Sequence, residues 1–89
     1  MTEYEFDLSG CFSPDDIHGL IAEKLPLPEY YGGNLDALYD VLTEISGVKI
    51  VFGGTDAAVA IVGEKYMRRF KKMCDNAAEE NKGIEIVFL

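Results

Sequence analysis

The chain reads as an α/β protein: one domain built on a three-stranded, mostly parallel sheet packed with about four helices. Three observations lead there. Its 89 residues leave room for a single domain, residues 1–89, and no second core. Two segments near the ends alternate with period two, and a short β-branched run lies between them. Each gap between these strands holds helical patterns long enough for the right-handed crossover that parallel pairing requires.

Residues 3–8 place Tyr4, Phe6 and Leu8 on one face and Glu3, Glu5 and Asp7 on the other, which predicts a strand with one buried side. Ser13 as N-cap, Pro14 at the first helical position and Asp16 three residues after the cap open a helix. Phe12 and Ile17 have the spacing of a hydrophobic staple, and Ile17, Leu20 and Ile21 form the stripe that runs to about Leu25. The run PLPEYYGGN breaks helix and predicts an exposed loop bearing Tyr30 and Tyr31. Asn34 caps a second helix over about residues 35–45. Val48–Phe52 reads as a more fully buried strand ending at Gly53-Gly54. Thr55–Val62 is compatible with strand or helix; its alanines and short length favour a helical turn or two, with Thr55 and Asp56 at the start. A long helix follows from about Glu64 to Asn81, stopped by Gly83, and Ile84–Leu89 closes the chain as a strand.

With 48% hydrophobic and 11% aromatic residues, the chain lies far from compositions that stay disordered. The size scaling expects roughly 5,200 Å² of folded surface against about 14,400 Å² unfolded. Sixteen acids against eight bases give a net charge of −8, which excludes a general binder of nucleic-acid backbone or anionic membrane. Residues 1–44 hold ten of the acids and only Lys24 as a base, whereas Lys65, Arg68, Arg69, Lys71 and Lys72 cluster later. The charge is therefore polarised. Cys11 and Cys74 are too few for a disulfide framework and, with the lone His18, match no metal spacing. They read as small buried or half-buried thiols of a reduced, cytoplasmic protein. His18, beside the apolar stripe of the first helix, reads as a surface or half-buried structural residue. Neither a signal peptide nor a membrane span is expected.

The second helix is the most informative element. Leu35, Leu38, Val41, Leu42 and Ile45 share one arc of the helical wheel; Asp36, Asp40, Thr43 and Glu44 occupy the opposite one, with Tyr39 at the border. Asp36, Asp40 and Glu44 repeat at i, i+4 and i+8, where each like-charged pair costs an isolated helix about 0.2–0.5 kcal/mol. Only Asp36 lies near the positive helix end. Local stability does not select such a stripe, although acidic solvated faces are common; beside Tyr30, Tyr31 and Tyr39 it is the leading candidate for a binding surface. An acid/base pair of Asp36 and Asp40 would need environments that split their pKa values, and a hard cation would want more oxygens than one helix face supplies. Neither an enzyme nor a cofactor is expected. The basic cluster on the last helix reads as its solvated face.

The run LPEYYGGNLDALYD, Leu27–Asp40, closely resembles the signature of the barstar family, intracellular protein inhibitors of secreted ribonucleases such as barnase. The resemblance implies a three-stranded parallel sheet with four helices, and an inhibitor whose second helix and preceding loop plug a ribonuclease active site. Asp40 would be the principal anchor, standing where an RNA phosphate binds, with Asp36 as a second charge contact. Tyr30 would pack on a catalytic-site side chain, and Gly32 with Asn34 would let the loop backbone approach closely. Tyr39 stands where the best-known member has a tryptophan, Ile45 replaces a second aromatic residue, and a further acidic contact from the last helix would fall near Asp75 or Asn76. The partner implied is a basic, barnase-like, guanyl-specific ribonuclease; the alternative is another basic toxin or regulatory protein held by the same face, Tyr30, Gly32, Asn34, Asp36, Tyr39, Asp40, Thr43 and Glu44.

Overall fold

The computed structural model describes residues 1–29 and 31–89. Among them, strands β1 (Thr2–Asp7), β2 (Val48–Gly53) and β3 (Ile84–Phe88) alternate with helices α1 (Pro14–Lys24), α2 (Leu35–Glu44), α3 (Thr55–Val62) and α4 (Glu64–Glu80). The expected α/β fold is present, and every strand pair is parallel, in the order β1-β2-β3. Accessible surface totals 5220 Å², close to what chain length alone requires.

The register aligns Phe6, Phe52 and Phe88 across the three strands. Their rings stack with centroids 5.5 and 5.4 Å apart, and Phe70 of α4 meets Phe52 edge-on at 5.2 Å. These aromatic contacts add to the area term where sheet and helix layers meet. Ile17 and Ile21 of α1 and Leu38 and Leu42 of α2 complete the same core. The opposite sheet face carries a row of charge instead: Lys49 lies 3.9 Å from Glu3 and 3.7 Å from Glu85. A parallel sheet usually has both faces covered; here the outer face is open to water around Lys49, while Val51 on the same face is buried.

Several local expectations change in detail. Strand β1 stops at Asp7, and buried Leu8 belongs to a 3-10 turn, Leu8–Gly10, opened by Asp7 accepting from Ser9 N at 3.0 Å and Ser9 Oγ at 2.6 Å. Those bonds hold the Asp7 carboxyl below its usual range. Ser13 caps α1 as expected, but the staple is not made, since Phe12 is 72% exposed while Ile17 is buried. Asp16 Oδ2 instead accepts from the Phe12 N–H at 2.9 Å, which secures the entry to the helix through backbone. Segment 55–62 is a helix, entered through Gly54 with φ +68° rather than a side-chain cap. A Cβ there would lie 2.7 Å from both Asp7 Oδ1 and Ser9 N, so the close approach of α3 to the 3-10 turn demands glycine. Thr55 Oγ1 turns away to donate to Leu89 O at 2.7 Å. Cys11 and Cys74 are both buried and free, and burial raises both thiols above their ordinary value.

Candidate functional site

Helix α2 is oriented from both ends. At its start Asn34 Oδ1 accepts from Ala37 N at 2.8 Å, satisfying one of the donors a helix N-terminus leaves free. At its end the carbonyls of Leu42 and Ile45 accept from Asn81 Nδ2 at 2.8 and 2.6 Å. Asn81 follows α4, and its Oδ1 also takes the N–H of Gly83 at 2.9 Å. Between these ends Leu38, Val41 and Leu42 are buried. Full burial of a leucine side chain contributes about 1.5–3 kcal/mol, so the apolar face determines which face remains outside.

That outer face carries the acids. Asp36, Asp40 and Glu44 are exposed, and Thr43 is half-buried with its Oγ1 donating to Asp40 O at 3.0 Å. Tyr39, at the border, is half-buried and donates its hydroxyl to Glu80 of α4; the carboxylate's preference for that proton raises the phenol above its ordinary value. Asn34 and Gly32 are exposed at the start of the same face. A Cβ at Gly32 would come within 3.3 Å of Asn34 Nδ2, crowding the cap. The left-handed backbone belongs to Gly33, φ +65°, between the two residues, Gly32 and Asn34, to which the resemblance assigns the close approach of the loop. Tyr30 lies outside the described residues.

The loop before α2 is anchored more deeply than its composition suggests. Tyr31, expected on an exposed loop, is half-buried, with its hydroxyl 2.5 Å from His18 Nδ1; the other ring nitrogen, Nε2, lies 2.8 Å from the Tyr66 hydroxyl. His18 is 4% exposed, so it is a buried bridge rather than the surface or half-buried residue its place beside the apolar stripe suggests. Burial lowers its pKa, with Asp15 opposing, and a neutral imidazole supplies one donor and one acceptor to the two tyrosines. Burial also raises both phenols, Tyr31 to about 12.

The packing of α2 along α4 adds residues that local pattern could not assign. Asp36 and Tyr39 share a cleft of about 310 Å³ with Arg69, Lys72, Met73 and Asn76. Tyr39 also faces Asn76, Glu79 and Glu80 across a second cleft. Of the two positions expected near a last-helix contact, Asn76 lines these walls; Asp75 is exposed and does not. The helical wheel of α4 shows which residues are outside, but only its packing on α2 shows which of them stand beside the acidic stripe.

The described residues contain no group of three or more His, Cys, Asp or Glu placed to hold a metal ion, and no helix long and apolar enough to cross a membrane. The arrangement offers an exposed acidic helix face, tied at both ends by Asn34 and Asn81 and bordered by Tyr39. A family model described as Barstar (barnase inhibitor) matches residues 1–89, the whole chain.

Proposed function

Because the chain belongs to the barstar family, whose role is barnase inhibition in general, we propose that it is an intracellular inhibitor of a secreted, barnase-like ribonuclease. The acidic face of α2 and the loop before it enter the nuclease active site as an imitation of RNA phosphates. The observation that carries this reading is the exposure of Asp36, Asp40 and Glu44 on a helix whose opposite face is buried and whose two ends are tied by Asn34 and Asn81.

Phosphate-cleaving enzymes concentrate cations where the substrate's charge lies, and a carboxylate set among arginines forms charge-assisted hydrogen bonds, often bidentate. A helix whose ends are already tied loses little backbone freedom on docking. In this reading Asp40 is the anchor and Asp36 the second charge contact. Tyr39, Thr43 and Glu44 continue the same face, Gly32 and Asn34 form its leading edge, and Tyr30 packs from the loop. Tyr39 with Asn76 and Glu80 extends the contact onto α4. The protein binds its partner in the cytoplasm and protects the cell that makes the nuclease; it needs no cofactor and does no chemistry itself.

Titrating the protein into barnase while following RNA cleavage tests the proposal. Stoichiometric loss of cleavage is expected, and unchanged cleavage at micromolar excess would exclude barnase-like enzymes as the target.

A further inference from the structure

The seam between α2 and α4 does not carry one sign of charge. Arg69 and Lys72, one helical turn apart, share the 310 Å³ cleft with Asp36 and Tyr39. Arg69 and Asp36 also share the adjoining cleft of about 240 Å³. Further along, Tyr39 faces Asn76 and Glu80. The seam is thus cationic where α2 begins and anionic beyond Tyr39. Arg69 and Lys72 are exposed, and among the described residues neither is within salt-bridge distance of a carboxylate.

A purely phosphate-like face has no use for two cations beside its leading carboxylate, where the nuclease's own cations would repel them. A partner that covers Asp36 and Tyr39 also takes water from Arg69 and Lys72, because they line the same cleft. Stripping solvent from a charge without giving it a partner is strongly unfavourable. We propose that Arg69 and Lys72 form a specificity element that receives a carboxylate side chain of the ribonuclease, set beside its phosphate-binding cations. Arg69 can donate two parallel N–H bonds to that carboxylate, and Lys72 adds a compact charge. Nucleases of the same class that present arginine or lysine at that point are rejected, so the pair discriminates among basic partners that the acids alone would accept. The inference rests on the ribonuclease-inhibitor reading.

The test uses barnase and a set of barnase variants, each with one residue at the rim of the active site changed to Glu, with inhibition measured for each. At least one Glu variant is expected to bind this protein about ten-fold or more tightly than parent barnase. That gain should vanish with the inhibitor variant Arg69→Gln/Lys72→Gln and become a loss with Arg69→Glu/Lys72→Glu, with circular dichroism checking that both variants fold. A gain that survives both substitutions, or no gain at any rim position while parent barnase is inhibited, would overturn the proposal and leave the inhibitor reading standing. If neither parent barnase nor any variant is inhibited, the inhibitor reading fails and this inference falls with it.

Discussion

The ring of His18 in α1 lies 2.5 Å from the hydroxyl of Tyr31 in the loop that leads to α2, and its other nitrogen reaches Tyr66 of α4 at 2.8 Å. A neutral imidazole fits both partners, and burial favours that form. The folded-state pKa is therefore below the 6.5 of an unperturbed histidine. The unfolded chain takes up a proton at His18 first as pH drops, so this contribution to stability is intact above about pH 6.5 and is lost progressively below it, until the folded-state pKa is passed. Urea unfolding between pH 8 and pH 5 should show this loss beginning near pH 6.5. In His18→Phe the loss in that window should shrink, and overall stability should fall by about 1–3 kcal/mol because two half-buried hydroxyls lose their partner. A wild-type profile flat down to pH 5 would contradict the assignment. Tyr31, with its pKa raised to about 12, works in the opposite sense: its contribution is intact below pH 10 and fades as pH rises from 10 towards 12.

Asn81 joins the two helices that border the acidic face, donating to the carbonyls of Leu42 and Ile45 and accepting from Gly83 N. Asn81→Ala should cost about 1–3 kcal/mol in urea unfolding by leaving part-buried backbone groups without partners. Asn81→Asp should cost more, since it sets a carboxylate against two carbonyl oxygens. Equal stability of the two variants would remove the amide donor from this account.

Association with a basic nuclease should be fast at low salt and slow as ionic strength rises. The net charge is −8, and long-range attraction is screened over about 10 Å at 0.1 M salt. Stopped-flow association with barnase between 20 and 500 mM salt checks this: the on-rate should fall by about ten-fold or more while the off-rate changes less. An on-rate indifferent to salt would mean that the polarised charge does not steer the encounter.

Much of the fold is legible in local pattern because local chemistry decides it. Ser13, Pro14 and Asp16 mark the start of α1, Asn34 that of α2, and the alternation of Tyr4 and Phe6 with Glu3 and Glu5 marks β1. The strand order β1-β2-β3 has no such signature, since helical crossovers of this length serve more than one order. Phe12 has the spacing of a staple, yet the backbone bond to Asp16 secures the helix entry and leaves the ring outside. Tyr31 sits in a segment of turn formers, and its burial depends on His18, thirteen residues earlier in the chain, and through it on Tyr66. The carboxylates of α2 were visible on a helical wheel, whereas the α4 residues beside them, Arg69, Lys72, Asn76 and Glu80, emerge only once the two helices pack.

The central claim is that the exposed carboxylates of α2 hold a ribonuclease, with Asp40 as the anchor. The most direct measurement compares dissociation of barnase from the wild-type protein and from Asp40→Ala by surface plasmon resonance. Asp40 is exposed and its side chain makes no hydrogen bond or ion pair among the described residues, so the variant should fold and unfold as the wild type does. Its off-rate should rise by at least about a hundred-fold, because a cationic pocket of the nuclease is left buried without its counter-charge, while the on-rate falls far less. An Asp40→Ala protein that releases barnase as slowly as the wild type would contradict the claim.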